Sequence, residues 1–558
     1  MLRLLCCLLL VVFYTELEAN AQPQQSRPRP SRSPRILLIP LDDRPPCLQF
    51  PTLIGRIGGV EVVTPPRPML GRFTEPGNPE MIIEWLQRHE VKGYESAIIS
   101  IDMLAYGGLV NSRIHRTPLN KALKHLEIVQ TIRRVAPRLP IYGFNVIMRL
   151  APTADGRNEA YRAKLARWAE ISPDGPKDAK LRKEVAELES EIPAAALSDY
   201  KDARRRNFRI NQASIEMVRR SVLDYLILSQ DDAKPRGVHV GERERLVGEA
   251  AQLRISEKVV VQPGADEVAM LLLARALNRR FNYTPRIAAV FSSEATRNKV
   301  MPFEDRPLHR TVSFHIAAAG GREVVRDEDA DILFYVYASR HEAGAAPSFA
   351  EQVERAIKQK RPVIVADIDP VGDVQGADPR FTEHLRKRKL FPRLTGYASW
   401  NTAGNTIGTA LSHGIVYALS LHRLANDALI AGDLAERVGN AQLKFLLHRL
   451  ADDYVYHALV RPQAKELAAS SKLNPNNLAG ENQKRVESFI REQVSAQIGD
   501  FRRDFTDPFL AVKFDGQGSV RFEPHGITNF VLSLPWGRTF EAEIDFDVEA
   551  EAITSRIP

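Results

Sequence analysis

The feature that most constrains this chain is a recurring unit in which a short apolar run ends in carboxylates or other polar groups. Ile36–Ile39 leads through Pro40 and Leu41 into Asp42-Asp43-Arg44, and Ala97–Ile101 leads into Asp102. Tyr225–Ser229 leads into Gln230-Asp231-Asp232, Val259–Ala265 into Asp266-Glu267, and Val363–Ala366 into Asp367-Ile368-Asp369. Runs this short, without polar alternation, read as strands buried on both faces, the mark of a parallel sheet covered by helices. In such folds ligands gather at the carboxyl ends of the strands. The acids stand at those ends, so one pattern predicts both the architecture and the place of a site.

Strands are expected over residues 35–41, 96–101, 141–147, 224–229, 258–262, 286–291, 331–337 and 362–367, with helical segments such as Pro79–Arg88, Leu119–Val135 and Val268–Asn278 between them. Eight strand–helix units in a row predict an α/β fold with a (β/α)8 barrel-like parallel core. Further strand candidates at Val60–Val63 and Leu394–Trp400 keep a doubly wound open parallel sheet as the alternative. The α/β core is expected over residues 35–425, with a highly charged helical insertion over 156–222. A C-terminal α+β region follows over 426–558, helical to Ile498 and then alternating in strands at 509–514, 519–522, 529–534 and 540–548.

Residues 1–21 read as a signal peptide: Arg3 opens it, Leu4–Phe13 is apolar, and Ala19-Asn20-Ala21 supplies a small-x-small cleavage site. The apolar stretch is too short to span a bilayer comfortably, so cleavage and export to a periplasmic or extracellular destination are expected, with no stable membrane span. Residues 22–34, rich in Pro, Arg, Ser and Gln, read as a disordered linker. Of the three cysteines only Cys47 lies beyond the signal, so the mature chain has no internal disulfide to draw on despite an oxidising destination. The net charge of +8 is dispersed. Arg204–Arg206 and Arg386–Lys389 lack interleaved aromatics, which argues against nucleic acid as a partner, while anionic envelope polymers stay compatible with it.

Asp231-Asp232 is the sharpest chemical signal. Two adjacent carboxylates at the end of a buried strand repel each other, which raises the pKa of at least one and suits it to general-acid work. Asp266 and Glu267 are the other catalytic candidates, with helix capping an adequate reason for one of them. Asp42, Asp43 and Arg44, Asp102 with Tyr106, Asn145 with Arg149, and Asp367 are candidate substrate contacts at strand ends. Trp400, Asn401 and Asn405 lie in a Gly-containing loop that suits carbohydrate, where a ring stacks on sugar C–H faces and amides grip hydroxyls.

There is no Gly-x-Gly-x-x-Gly after a strand, no Gly-Lys-Ser/Thr loop, no Gly-x-Ser-x-Gly elbow and no His-Glu-x-x-His. No cofactor is expected, and the 13 scattered histidines argue against zinc. An all-oxygen cation site built from Asp42, Asp102, Asp231 and Asp367 stays open.

The segments Ile39–Pro46 (IPLDDRPP), Asp102–Arg113 (DMLAYGGLVNSR), Gly264–Glu267 (GADE) and Gly396–Thr406 (GYASWNTAGNT) resemble a bacterial exported protein family catalogued as a domain of unknown function. The resemblance spans most of residues 35–530 and implies no mechanism. The Asp-Asp pair at the fourth strand also resembles the arrangement in TIM-barrel retaining β-N-acetylglucosaminidases, which use the substrate acetamide as nucleophile. That resemblance implies that Asp231 orients the acetamide and Asp232 is the general acid/base, with Asn145, Tyr335 and Asn401 as sugar contacts. The expected function is therefore an exported glycoside hydrolase acting on an envelope or environmental polysaccharide. The alternatives are a carboxylate–metal hydrolase and a non-catalytic carbohydrate-binding envelope protein. The sugar, its linkage and the oligomeric state are not legible in the sequence.

Overall fold

The computed structural model describes residues 33–426, 431–514, 516 and 518–556. The expected signal peptide, residues 1–21, and nearly all of the expected linker, residues 22–34, lie outside the described residues. Arg35–Pro558 form one compact unit.

Eleven strands form two separate, wholly parallel sheets. The first contains β1 (Arg35–Ile39), β2 (Glu61–Val63), β3 (Ser96–Ser100), β4 (Ile141–Ile147), β5 (Tyr225–Gln230) and β6 (Val259–Pro263), in the order β2-β1-β3-β4-β5-β6. The second contains β7 (Arg286–Phe291), β8 (Arg322–Glu323), β9 (Ile332–Tyr337), β10 (Val363–Asp367) and β11 (Gly396–Ala398), in the order β8-β7-β9-β10-β11. The parallel α/β core is as expected, and every strand anticipated up to residue 400 is present. The strands do not close into a barrel. β6 and β7, successive in the chain, belong to different sheets, so the open arrangement is the one adopted. Each sheet repeats one doubly wound order, with the first strand of the set placed second and the direction of winding reversed beside it, at β1/β3 and at β7/β9. The two-residue β8 completes this second copy and was not anticipated.

Alternate residues of the first sheet serve two cores, as strand geometry requires. Ile36, Leu38, Ile98, Phe144 and Ile227 point into a large core shared with the second sheet. The helices Pro45–Ile57, Val268–Arg280 and Ala403–Asn426 fill it. Leu37, Ile39, Ile99, Leu226 and Leu228 point into a second core beneath the helices Pro79–Arg88, Leu119–Val135 and Ala194–Arg219. The Ala403–Asn426 helix is buried along most of its length and approaches the second sheet through Gly414, where an added Cβ would sit 2.3 Å from Ile364 Cγ1.

Three helices, Glu159–Ile171, Ala179–Glu191 and Ala194–Arg219, stand between β4 and β5. A helical run from Ala431 to Ser470 contains an eleven-residue π-helix, Leu450–Val460. β12 (Leu510–Phe514), β13 (Gly518–Ser533) and β14 (Glu543–Arg556) then form an antiparallel sheet. The strands expected at 519–522 and 529–534 are one continuous β13, because register shifts at Pro524/Gly526 and Thr528/Val531 absorb the turn-like residues without ending the ladder.

Candidate functional site

The carboxyl ends of both sheets open on one cavity of about 340 Å³. The first sheet supplies Arg44 after β1, Arg113 after β3, Arg149 after β4, Asp231 and Asp232 after β5, and Gly264–Asp266 after β6. The second supplies Phe303 after β7, Gln375 after β10, and Asn401, Thr402 and Asn405 after β11. Trp536, Arg538 and Phe540, between β13 and β14, reach back to line the same space. Arg44 and Arg113 stand where the winding of the first sheet reverses, the place that doubly wound folds use for ligands.

Backbone strain is concentrated here. Four of the twelve non-glycine residues with positive φ among the described residues line the cavity: Asp232 (φ 42°), Phe303 (67°), Gln375 (56°) and Asn401 (57°). Such conformations cost free energy and persist where surrounding structure holds them, commonly at functional sites. Asp369, after β10, is one such support: its carboxylate accepts from the backbone N–H groups of Val371, Val374 and Gln375.

Each acid on the cavity wall faces an arginine. Arg113 donates to Asp231 Oδ2 at 2.5 Å and Arg149 to Asp232 Oδ2 at 2.5 Å. Arg44, only 5% exposed, spans two carboxylates. It donates to Asp266 at 2.6 and 3.0 Å and to Asp42 at 2.7 to 3.1 Å. Its guanidinium lies 4.5 Å from the ring centre of Trp536, whose Nε1 donates to Asp43 Oδ1 at 2.7 Å. Asp43 therefore anchors the C-terminal loop over the cavity.

The neighbouring acids differ in proton affinity. Burial raises Asp231, but Arg113, Arg149 and Arg44 together outweigh it and hold Asp231 below its ordinary value. Asp232 stays above its ordinary value because burial, aided by Asp231, prevails over Arg149. Burial pushes Asp266 up to about 6 against the pull of Arg44. Burial and the Arg149 charge bring Arg113 down to about 10.

Several expected site residues lie behind the cavity wall. Glu267 is fully buried at the start of the Val268–Arg280 helix without capping it. Its carboxylate accepts from the Ala265 N–H at 3.0 Å and from Asn405 Nδ2 at 2.8 Å, with His315 Nε2 at 3.1 Å, so it orients Asn405 without reaching the cavity. Asp102 accepts from the Val146 N–H at 2.8 Å, and its other oxygen has no hydrogen-bond partner among the described residues.

Others are elsewhere. Tyr106 packs under the Arg206 guanidinium, 4.1 Å from the ring centre, and Asn145 donates to Asn211. Tyr335 packs on Phe349 and donates to the Gln352 carbonyl. Asp367 accepts from the Asp378 N–H at 2.7 Å. Trp400 turns its ring onto Phe50 and donates to Thr409. Asp367 and Trp400 stand at or just past strand ends, Asn145 and Tyr335 lie inside β4 and β9, and Tyr106 ends the Ile101–Tyr106 helix; none of the five lines the cavity.

The four carboxylates of the cation alternative, Asp42, Asp102, Asp231 and Asp367, are not brought together, being bonded respectively to Arg44, the Val146 N–H, Arg113 and the Asp378 N–H. Among the described residues, the donor atoms close enough to share an ion, within 4.8 Å of one another, belong to Asp42, Cys47 and Asp266. The Arg44 guanidinium already supplies positive charge to both of those carboxylates.

Residue-by-residue reading missed Arg113, Arg162, Gln375, Trp536, Arg538, Phe540 and Glu304. Arg113 ends the DMLAYGGLVNSR segment, so a signal for it existed. Glu304 is buried and accepts from the Gly404 N–H at 2.8 Å, its proton affinity pushed well above the carboxylate range by burial and then by the Glu267 charge. It tethers the Asn401–Asn405 loop, and nothing around it in sequence announces that role.

The buried acids make stability depend on pH. Burial pushes Asp102 up to about 8, and Asp367 and Asp453 up to about 7. A carboxyl whose proton affinity is raised by folding contributes stability that is complete below its ordinary value near 3.8 and lost as pH rises through its folded value. For Asp102→Asn, the stability of the variant relative to the parent chain should increase from pH 5 to pH 8 by a few kcal/mol, since a tenfold change in proton affinity is about 1.4 kcal/mol. Urea denaturation at the two pH values measures it, and a constant difference would contradict the assignment.

A family model described as "Protein of unknown function (DUF4127)" matches residues 36–545. No curated protein matches the chain. Among solved structures, the carboxyl transferase domain from Rhizobium etli pyruvate carboxylase with pyruvate aligns at 10% identity over 94% of this chain and 89% of that one, with a TM-score of 0.14, too low to carry an argument. No helix among the described residues is long and apolar enough to cross a membrane. With its segments matched from β1 into β14, the chain belongs to the DUF4127 family.

Proposed function

We propose that the chain is an exported glycoside hydrolase acting on an envelope or environmental polysaccharide, with Asp232 as general acid/base. The observation that carries this reading is the Asp231-Asp232 pair: two neighbouring carboxyls on one cavity wall whose surroundings drive their proton affinities apart. Such divergence assigns an acid and an ionised partner in one site. Asp232 gives its proton to the glycosidic oxygen as the bond to the anomeric carbon breaks. Asp231, held ionised by Arg113, orients either an attacking substrate acetamide or water, and Asp232 recovers its proton from the water that completes hydrolysis.

The rest of the wall suits a sugar. Phe303, 41% exposed, offers an apolar face, and Asn401 and Asn476 offer amides. Glu267 and Glu304 are positioning residues that hold the Asn401–Asn405 loop. Asp266, with both oxygens on Arg44, shapes the charge of the wall in place of a direct catalytic role.

The test is a screen of purified Gln22–Pro558 against chromogenic glycosides and cell-wall polymers, with and without EDTA. Release of the chromophore or of reducing ends at a rate indifferent to EDTA is expected. Loss of all activity in EDTA, restored by a divalent cation, would replace this reading with metal-dependent hydrolysis. Saturable sugar binding with no turnover over long incubation would leave a carbohydrate-binding protein.

A further inference from the structure

The charged groups lining the cavity are mostly arginines. Five arginines line it, Arg44, Arg113, Arg149, Arg162 and Arg538, against three aspartates. Arg44, Arg113 and Arg149 are matched by Asp42 with Asp266, by Asp231 and by Asp232, and Arg538 is matched by Glu541 outside the lining. Arg162, on the Glu159–Ile171 helix, forms no ion pair among the described residues. Its Nε donates to the Pro152 carbonyl at 3.0 Å, and neither terminal nitrogen has a protein acceptor among the described residues. Arg149 reaches the same carbonyl through Nη2 at 3.5 Å, so the two guanidiniums stand side by side around one oxygen.

Two adjacent cations repel, and Asp232, whose charge acts on both, is bonded only to Arg149, which leaves the terminal edge of Arg162 open to a second anion. A planar guanidinium edge is a fitting receptor for a carboxylate or a sulfate. When Asp232 carries the proton that a general acid must hold, Arg149 loses its bonded counterion and keeps only the more distant Asp231 charge. Arg149 and Arg162 then face the cavity with no bonded carboxylate, Asp231 and Glu159 acting on them only at longer range. A neutral sugar can accept hydrogen bonds from the two arginines but leaves their charge unmatched.

We infer that the substrate is an acidic carbohydrate, whose carboxylate or sulfate group is received by Arg162 beside Arg149. This rests on the proposed glycosidase reading for the sugar and on charge pairing for the anion. The net charge of +8 favours encounter with such polymers as well.

The inference is tested by calorimetric titration of the intact mature chain with glucuronic acid, glucose 6-sulfate and glucose, repeated with Arg162→Gln and Arg162→Lys. At least one acidic sugar should bind about tenfold or more tightly than glucose, the worth of a charge-assisted pair of hydrogen bonds. Arg162→Gln should erase that preference without changing the melting temperature, and Arg162→Lys should restore part of it. The carboxylate and sulfate arms identify which anion is received. Equal binding of all three sugars, binding of none, or a preference that survives Arg162→Gln would overturn the inference. Because the readout is binding, its failure is separate from that of the catalytic reading. Turnover confined to neutral glycosides would sink the anion site alone, and tight acidic-sugar binding without any turnover would sink the hydrolase alone.

Discussion

Replacing Asp232 with asparagine is expected to lower kcat on any glycoside the protein hydrolyses by about a hundredfold to ten-thousandfold, the contribution of a general acid. The same change should leave sugar affinity within a small factor of the parent. Two properties of the position make this a clean experiment. Asp232 holds φ at 42°, a region where asparagine is among the best-tolerated non-glycine residues, so the strained turn survives the substitution. The asparagine carbonyl can still accept from Arg149, which preserves the bond that places the side chain. What is removed is the ionisable proton. The pH–rate profile should change as well, the residual activity losing the alkaline fall set by the raised proton affinity of Asp232. Unaltered kcat in this variant would end the assignment of Asp232 as the acid.

The largest structural effect is expected at Arg44. Arg44→Ala should destabilise the chain by about 3–5 kcal/mol, because it leaves two buried carboxylates with no counterion. Asp42 is 2% exposed and Asp266 6% exposed, so water does not replace the lost guanidinium without opening the wall. The loss has a second part, since the guanidinium also packs on Trp536, which Asp43 holds over the cavity. Arg44→Lys should recover only a fraction: an ammonium can neutralise the pair but cannot make two forked contacts at once or stack on the indole. Denaturant titrations of the three chains at pH 7 decide it. A loss below about 1 kcal/mol for Arg44→Ala would mean that the Asp42–Arg44–Asp266 bridge is not the tie that its geometry describes.

These two residues also show how unevenly the site could be read in advance. Asp231 and Asp232 announce themselves because Tyr225–Ser229 is an uninterrupted apolar strand, and acids at the end of such a strand have no solvent-facing reason to be there. Arg44 stands beside Asp42 and is legible as its partner, two residues away. Its second partner, Asp266, is 222 residues along the chain. Arg113 reaches Asp231 across 118 residues, and Trp536 reaches Asp43 across 493. No local pattern encodes such pairs. Tyr106, Asn145, Tyr335, Asp367 and Trp400 show the converse, since their approximate place along the strand–helix units was readable while the direction and partner of each side chain were set by packing. Glu267 lies between the two cases, one residue past the cavity wall and turned inward to His315 and Asn405.

The sequence by itself determined that this chain is a parallel α/β protein with acids at its strand ends, because burial on both faces writes itself into each strand as an unbroken apolar run. Only the tertiary structure decided that β6 and β7 part company into two open sheets, and that the two sets of strand ends share a mouth rich in arginine. The reason is physical: apolar composition reports whether a strand is covered, whereas its neighbour and its counterion are chosen by contacts between segments far apart in the chain.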